Sequence, residues 1–215
     1  MSLLDLDRIV SLVIEELKKE EKSSKRNLIP AGISNRHVHL SKQDFHILFG
    51  SDLELTKQKD LTQIGQFASN EFVNLIGPKG IIERVRILGP YREKSQIEIL
   101  NSDSFKLGIN VPLRESGDLD GSADIIISGT YGCLKISSGM IVAKRHIHMS
   151  LEEAGKFNLK NGDTVRVKID GERGGILDNV IIRVSDKFKL DFHVDLDEAN
   201  CFGLKNGDKV ELVNY

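Results

Sequence analysis

After Pro30 the chain consists mainly of short runs of branched apolar residues separated by turn residues. Runs of four to eight residues rich in valine and isoleucine, bounded by glycine, asparagine or aspartate, are typical of β-strands. The sequence EFVNLIG, followed by PKG and IIERVRILG, has the pattern of a β-hairpin. Further strand candidates are QIEIL, DIIIS, TVRVKI, VIIRVS and KVELV. Closely spaced turns between the strand candidates, together with the absence of long helical patterns, favour small β-barrels.

Two segments near the C-terminus repeat one another. FNLKNGDTVRV at 157–167 and FGLKNGDKVEL at 202–212 each contain an apolar start, an Asn-Gly turn and a strand. Shared turn chemistry accounts for this repeat, so it carries information on architecture and none on catalysis. The sequence predicts a mainly β fold of two similar small β-barrel domains with short capping helices.

The N-terminal segment has a different character, because its apolar residues recur at helical spacing. They are Leu6, Ile9, Val10, Val13, Ile14 and Leu17. The charged run EELKKEEKSSKR follows before Pro30, so we expect an amphipathic helix on a polar tether. Such a helix could dock on the chain itself or at a dimer contact, or it could be a detachable targeting peptide. The sequence does not separate these alternatives.

Composition excludes several classes of protein. The 30 basic and 32 acidic residues nearly cancel without forming a basic run, so a nucleic-acid partner is not expected. The longest apolar runs, such as IIIS, are far shorter than the roughly 20 residues that cross a bilayer. No secretory signal is expected because acidic residues begin at Asp5.

The two cysteines, Cys133 and Cys201, have no nearby partner. They make no CxxC pattern, which argues against a disulfide framework or a thiolate zinc site. We interpret both as small buried apolar residues. A reducing, cytoplasmic location is expected.

Four of the 6 histidines lie in two copies of one motif, NRHVHLS at 35–41 and KRHIHMS at 144–150. In a strand, residues i and i+2 point to the same face, so both histidines of a copy project together. The closing serine begins a helix-capping pattern, Ser41 with Asp44 and Ser150 with Glu153. Each copy therefore predicts a strand end followed by a short helix.

Two imidazoles on one face are suited to a divalent metal ion. A single pair would be interpreted as exposed strand histidines, but the duplication favours two metal half-sites, one in each half of the molecule. His193, in DFHVDLDEAN, could complete the second set. His46, in QDFHILFG, has no carboxylate pattern beside it and is interpreted as structural.

Six ordered motifs resemble the PduL-type phosphate propanoyltransferases, the phosphotransacylases associated with bacterial microcompartments. They are SNRHVHLS, LTQIGQFASNEFV, GPYREKSQIEI, VPLRESGDLDGS, IVAKRHIHMS and FHVDLDEAN. The resemblance extends from about Ile29 to the C-terminus.

The resemblance implies two zinc ions per chain and one arginine that contacts the substrate phosphate. The first metal set would be His37, His39 and Glu98, the second would be His146, His148 and His193, and the arginine would be Arg92. Glu98 and Arg92 rest on the resemblance alone.

The family fold implies that residues 22–35 join 144–215 in one barrel and that 36–143 form the other, with 1–21 outside both. The implied reaction is reversible transfer of a propanoyl or acetyl group between coenzyme A and phosphate. Expected partners are acyl-CoA, phosphate, a second copy of the chain and microcompartment shell proteins reached through the N-terminal helix. The location would then be inside a microcompartment.

Two other classes of function remain open. A metal-dependent hydrolase of a thioester would use the same ligands to activate water. A non-catalytic microcompartment scaffold would explain the N-terminal helix but leave the duplicated histidine pairs unexplained.

Overall fold

The structure is a computed structural model that describes residues 8–15 and 27–213. Residues 8–15 are helical and form α1. The later helices are α2 (Lys42–Phe49), α3 (Asn101–Leu107), α4 (Leu151–Phe157) and α5 (Leu196–Phe202). The strands are β1 (Leu28–Ser34), β2 (His37–His39), β3 (Lys57–Asp60), β4 (Phe67–Ile76), β5 (Ile81–Gly89), β6 (Gln96–Ile99), β7 (Leu113–Arg114), β8 (Ala123–Ser128), β9 (Cys133–Ala143), β10 (His146–Met149), β11 (Thr164–Ile169), β12 (Gly175–Val184), β13 (Asp191–Asp195) and β14 (Lys209–Val213).

Six strands close the first barrel in the order β1, β13, β10, β12, β11 and β14. A second ring runs β9, β6, β2, β5, β4 and β8, and it closes because β8 pairs with both β4 and β9. Strands β3 and β7 add to this second ring at β4 and β9. The predicted mainly β fold with two barrels is confirmed.

The two barrels repeat one pairing pattern. Each ring has six pairs of neighbouring strands. In the orders given above, the first and third pairs are parallel and the other four pairs are antiparallel, and this holds in both barrels. Strand β2 therefore occupies in one barrel the place that β10 occupies in the other. The same equivalence relates β6 to β13 and β5 to β12.

The chain passes between the barrels twice. It leaves the first barrel after β1 and enters the second at β2, and it returns after β9 to enter the first at β10. Each histidine motif thus lies immediately after a crossing. A strand placed there starts at the boundary between two separate apolar cores, one in each barrel.

The serines of both motifs cap helices as predicted. The Ser41 side chain accepts a hydrogen bond from the backbone N–H of Asp44 at the start of α2. Ser150 and Glu153 form a complete capping box at the start of α4. The caps fix where each short strand ends and its helix begins, which holds the histidine pairs at the strand ends.

The prediction that both cysteines are buried is wrong, because both are exposed. Cys133 lies at the start of β9, where the hairpin from β8 turns at the surface. Cys201 lies on α5 two residues after Ala199, which is the buried residue of that helix. Two residues correspond to more than half a turn, so the thiol points away from the core.

The apolar residues of α1 are about half exposed, among them Ile9, Val10, Val13 and Ile14. Leu6, Leu17 and the charged tether lie outside the described residues. Within the described ranges, no helix is both long and apolar enough to cross a membrane.

Candidate active site

The first histidine motif meets a glutamate on the neighbouring strand. His37 and His39 lie on β2, and Glu98 lies directly opposite His37 on antiparallel β6. One ligand atom from each of the three residues lies within 4.8 Å of the others. Neutral imidazole and carboxylate oxygen are both common ligands of Zn²⁺. This first cluster could therefore hold a divalent cation.

The second motif forms an equivalent cluster with a third histidine. His146 and His148 lie on β10, and His193 lies directly opposite His146 on antiparallel β13. Their ligand atoms also lie within 4.8 Å of one another. The position of the third residue is the same in both barrels, because β6 and β13 have the same place in their rings. The structure thus brings together all six residues expected for the metal sets, as two triads.

The first histidine of each motif has one ring nitrogen fixed by the backbone two residues earlier. Nδ1 of His37 lies 2.8 Å from the carbonyl oxygen of Asn35. Nδ1 of His146 lies 2.8 Å from the carbonyl oxygen of Lys144. When Nδ1–H donates to a carbonyl, Nε2 keeps its lone pair for a cation, which is the usual arrangement around a histidine ligand.

The carboxylate of Glu98 is held through one oxygen only. Ser116 donates to Oε1 at 2.7 Å, and the Gln96 side-chain amide donates to the same atom at 2.5 Å. The other oxygen, Oε2, lies 3.5 Å from Nε2 of His37. Burial raises the pKa of Glu98, but His37, His39 and the Ser116 hydrogen bond outweigh it and bring the pKa to about 2. Glu98 is therefore a fixed anion with a free oxygen inside the cluster.

Burial also keeps three of the histidines uncharged. It lowers the pKa of His148 to about 2, with a further contribution from His146. It lowers the pKa of His146 to about 4, to which His193 contributes. Burial and the neighbouring His37 hold the pKa of His39 well below its ordinary value of 6.5. At neutral pH these rings are in the form that can bind a divalent cation.

The second histidine of each motif has an unsatisfied buried nitrogen. Nδ1 of His39 and Nδ1 of His148 have no hydrogen-bond partner among the described residues. Unpaired buried polar atoms are uncommon in folded proteins and often mark a site completed by an ion or a water molecule. Their occurrence at equivalent positions of the two triads fits two metal sites.

The arginine that precedes each histidine pair has a structural role. Arg36 contacts Asp103 at 2.7 Å, and Arg145 contacts Glu198 at 3.3 Å. The Asp103 side chain accepts a hydrogen bond from the Leu100 N–H at the start of α3, which follows β6. The Glu198 side chain accepts one from the Asp195 N–H at the start of α5, which follows β13. Each arginine therefore links the start of the histidine strand to a helix. In both cases that helix follows the strand that carries the third residue of the triad.

Both triads line one cavity of about 1320 Å³ between the barrels. Its lining includes eight basic and five acidic residues. Arg92 is among them, and its Nη2 atom lies 2.9 Å from Nε2 of His39. Arg183 also lines the cavity, on β12 directly opposite His148. The cavity can therefore offer two cation sites and two guanidinium groups to one anion.

His46 lies outside both triads, on α2, and its Nε2 is 3.8 Å from Glu54.

The sequence did not reveal Arg183 or the residues that hold the ligands, which are Gln96, Ser116 and Asp191. Asp191 and Gln96 each lie two residues before the third residue of a triad. This spacing marks them as sharing its face of the strand.

Comparison with known proteins identifies the family of this chain. A family model described as phosphate propanoyltransferase matches residues 30–205. A phosphate propanoyltransferase of Thermotoga maritima is 50% identical over 165 residues, which cover 76% of this chain and 79% of that protein. The one of Limosilactobacillus reuteri is 50% identical over 168 residues, 77% of each chain. That of Priestia megaterium is 47% identical over 186 residues, 86% of this chain and 85% of that protein. The chain therefore belongs to the phosphate propanoyltransferase family of enzymes.

Proposed function

We propose that this protein transfers a short acyl group, propanoyl or acetyl, reversibly between coenzyme A and inorganic phosphate, and that it uses two zinc ions. Membership of the family supports the reaction. The single structural observation that supports the metal requirement is that two equivalent triads, one from each barrel, face the same cavity. The first ion would be held by His37, His39 and Glu98, and the second by the triad of His146, His148 and His193.

In this reaction a phosphate oxygen attacks the thioester carbonyl carbon, the C–S bond breaks and coenzyme A leaves as a thiolate that takes up a proton. When bound, the two ions would supply Lewis acidity for the phosphate and for the thioester carbonyl or leaving thiolate. The planar guanidinium of Arg92 would donate two hydrogen bonds to the phosphate oxygens. We favour direct attack because no serine or cysteine of the chain lies in a nucleophile motif and neither cysteine lines the cavity.

The cavity also contains a surface suited to the nucleotide part of coenzyme A. The guanidinium carbons of Arg84 and Arg86 lie 4.5 and 4.3 Å from the centre of the Phe72 ring, and all three residues line the cavity. Arginine binds phosphate groups, and arginine and aromatic faces stack on a purine ring. We propose that this group binds the anionic end of acyl-CoA.

Incubation with propanoyl-CoA or acetyl-CoA is expected to release free coenzyme A only when phosphate is present. The reverse reaction should consume acyl phosphate and coenzyme A. Thiol release can be followed with a chromogenic thiol reagent, and acyl phosphate with hydroxylamine. Release at the same rate without phosphate would identify a hydrolase instead, and no release under either condition would favour a scaffold protein.

We propose that the segment before the barrels is a packaging peptide for a microcompartment. The support is physical, because α1 exposes a stripe of apolar residues, and a short isolated helix of this kind needs a surface to pack against. The division of the remaining chain into domains 22–35 plus 144–215 and 36–143 is proposed with it. The peptide would then contribute nothing to the reaction.

A variant that begins at Ser23 is expected to keep its transferase activity, melting temperature and oligomeric size. Its co-purification with shell proteins should be lost, because the apolar stripe that would contact them is absent. Activity assays, thermal melts and size-exclusion chromatography test the first part, and co-expression with shell proteins tests the second. Precipitation or a much lower melting temperature would show that the helix belongs to the fold or to a dimer contact.

A further inference from the structure

The two triads differ in where a carboxylate lies. In the first triad Glu98 belongs to the triad itself, and the neutral residue Gln96, two positions earlier on β6, donates a hydrogen bond to it. In the second triad the imidazole of His193 takes that place. The carboxylate of Asp191, two positions earlier on β13, lies with its Oδ2 atom 2.8 Å from Nε2 of His193.

These positions are equivalent in the two barrels. Gln96 lies directly opposite His39 on the neighbouring strand, and Asp191 lies directly opposite His148 in the same way. The carboxyl side chain therefore lies at the triad position in the first barrel and two residues before that position in the second. Each triad contains or adjoins one carboxylate, which is a member of the first triad and lies beside the second.

Asp191 is only 3% exposed, although it carries an ionisable group. A buried carboxylate is costly unless it is paired with a cation or with hydrogen-bond donors. In the structure, the ring nitrogen of His193 lies within hydrogen-bond distance of it. This contact occupies Nε2, so the nitrogen that remains free on His193 is Nδ1. Asp191 thus fixes which nitrogen of His193 can face the other two histidines.

Gly32 on β1 leaves the space that Asp191 occupies. It lies beside His193 in the parallel pairing of β1 with β13. A Cβ atom at position 32 would lie 2.8 Å from Oδ2 of Asp191 and 3.0 Å from Cδ2 of His193. At the equivalent place in the other barrel, Ile141 lies beside Glu98. A large side chain is therefore tolerated beside the first triad but not beside the second.

We propose that Asp191 is a positioning residue of the second zinc site, which orients His193 and supplies the negative charge that this triad lacks, and that Gly32 is small because it must accommodate Asp191. The proposal rests on the proposed function, since it assumes that the second triad holds a cation. A carboxylate that accepts the outer N–H of a histidine ligand fixes the ring and makes it a stronger donor. The zinc affinity of the second site should therefore depend on Asp191.

Zinc affinity can be measured one site at a time after the metal is stripped from the protein. Glu98→Ala would leave only the second site intact, and His148→Ala would leave only the first. Adding Asp191→Asn is expected to weaken zinc binding about 10- to 100-fold in the Glu98→Ala background. In the His148→Ala background it should change zinc binding less than about twofold, because Asp191 contacts no residue of the first triad. Competition with a chromophoric chelator gives both dissociation constants.

Gly32→Ala tests the same contact without altering its charge. It should weaken zinc binding in the Glu98→Ala background, because the new methyl group displaces the carboxylate from His193. Asp186→Asn removes one exposed charge away from both triads and serves as the control, with no expected change.

The outcomes separate this inference from the proposed function. Unchanged zinc affinity in the Asp191→Asn variants would overturn the inference, while phosphate-dependent acyl transfer could still hold. Equal weakening in both backgrounds would show a general electrostatic effect and overturn it as well. Loss of folded protein in both the Asp191→Asn and Gly32→Ala variants would assign these residues to packing. If the unaltered protein binds no zinc, both the proposed metal sites and this inference are wrong.

Discussion

Replacement of His148 by alanine is expected to lower the zinc content from about two ions per chain to about one and to reduce acyl transfer by two to three orders of magnitude. His148 is 6% exposed and lies in the second triad, with its Nδ1 atom unpaired. Its removal would leave two imidazoles, which bind a divalent cation much more weakly than three. The loss of one cation would withdraw much of the electrostatic stabilisation of the reacting groups. Elemental analysis and the thiol-release assay measure the two effects.

His46→Ala is a suitable control for this variant, because His46 is the histidine that belongs to neither triad. It is expected to keep about two ions and near-normal activity. Full activity of His148→Ala, or a zinc content of zero in the unaltered protein, would contradict a two-metal reaction. Glu98→Gln should reproduce the loss in the first triad, because it removes the anionic ligand while preserving the shape of the side chain.

The residues that sequence reasoning found by itself are those with a local pattern. The histidine pairs are visible because a strand places residues i and i+2 on one face, and the capping serines because a cap acts within four residues of the chain. Glu98 and Arg92 have no such local signal, and they came from the resemblance to a family. Their neighbours in the structure explain why: Glu98 meets His37 only through the pairing of β2 with β6.

The residues that were missed depend on contacts between distant strands. Asp191 became interpretable only when β13 was placed beside β10 and β1, which sets both the His193 contact and the space at Gly32. The roles of the two arginines that precede the histidine pairs could not be predicted either. Each one pairs with a capping carboxylate on a helix that follows a different strand. The exposure of Cys133 and Cys201 was misjudged because composition does not reveal which side of a strand or helix faces the core.

The two-barrel architecture itself explains why the motif occurs twice. Equivalent strands β2 and β10 follow the two crossings of the chain, and each begins at the boundary between the barrels. One local pattern, an arginine, two histidines and a capping serine, is therefore sufficient to build half of a site in either barrel. The halves differ at Glu98 and His193, so the two triads differ in their ligand types while sharing one arrangement of strands.

Replacement of Arg92 by lysine is expected to raise the KM for phosphate and to lower kcat/KM for phosphate about 10- to 100-fold, with the KM for acyl-CoA less affected. Lysine keeps the positive charge, but it lacks the planar fork that gives two parallel hydrogen bonds to phosphate oxygens. Alanine should cost more, on the order of 100- to 1000-fold, because the charge is lost as well. Arg166→Lys is the matched control, since Arg166 pairs with Asp178 away from the cavity and its replacement should leave both constants unchanged. Steady-state kinetics with phosphate varied at saturating acyl-CoA, and then the reverse, give the two KM values. If the two KM values rise equally, Arg92 contributes only to the overall positive charge of the cavity. If neither KM value changes, Arg92 does not bind phosphate.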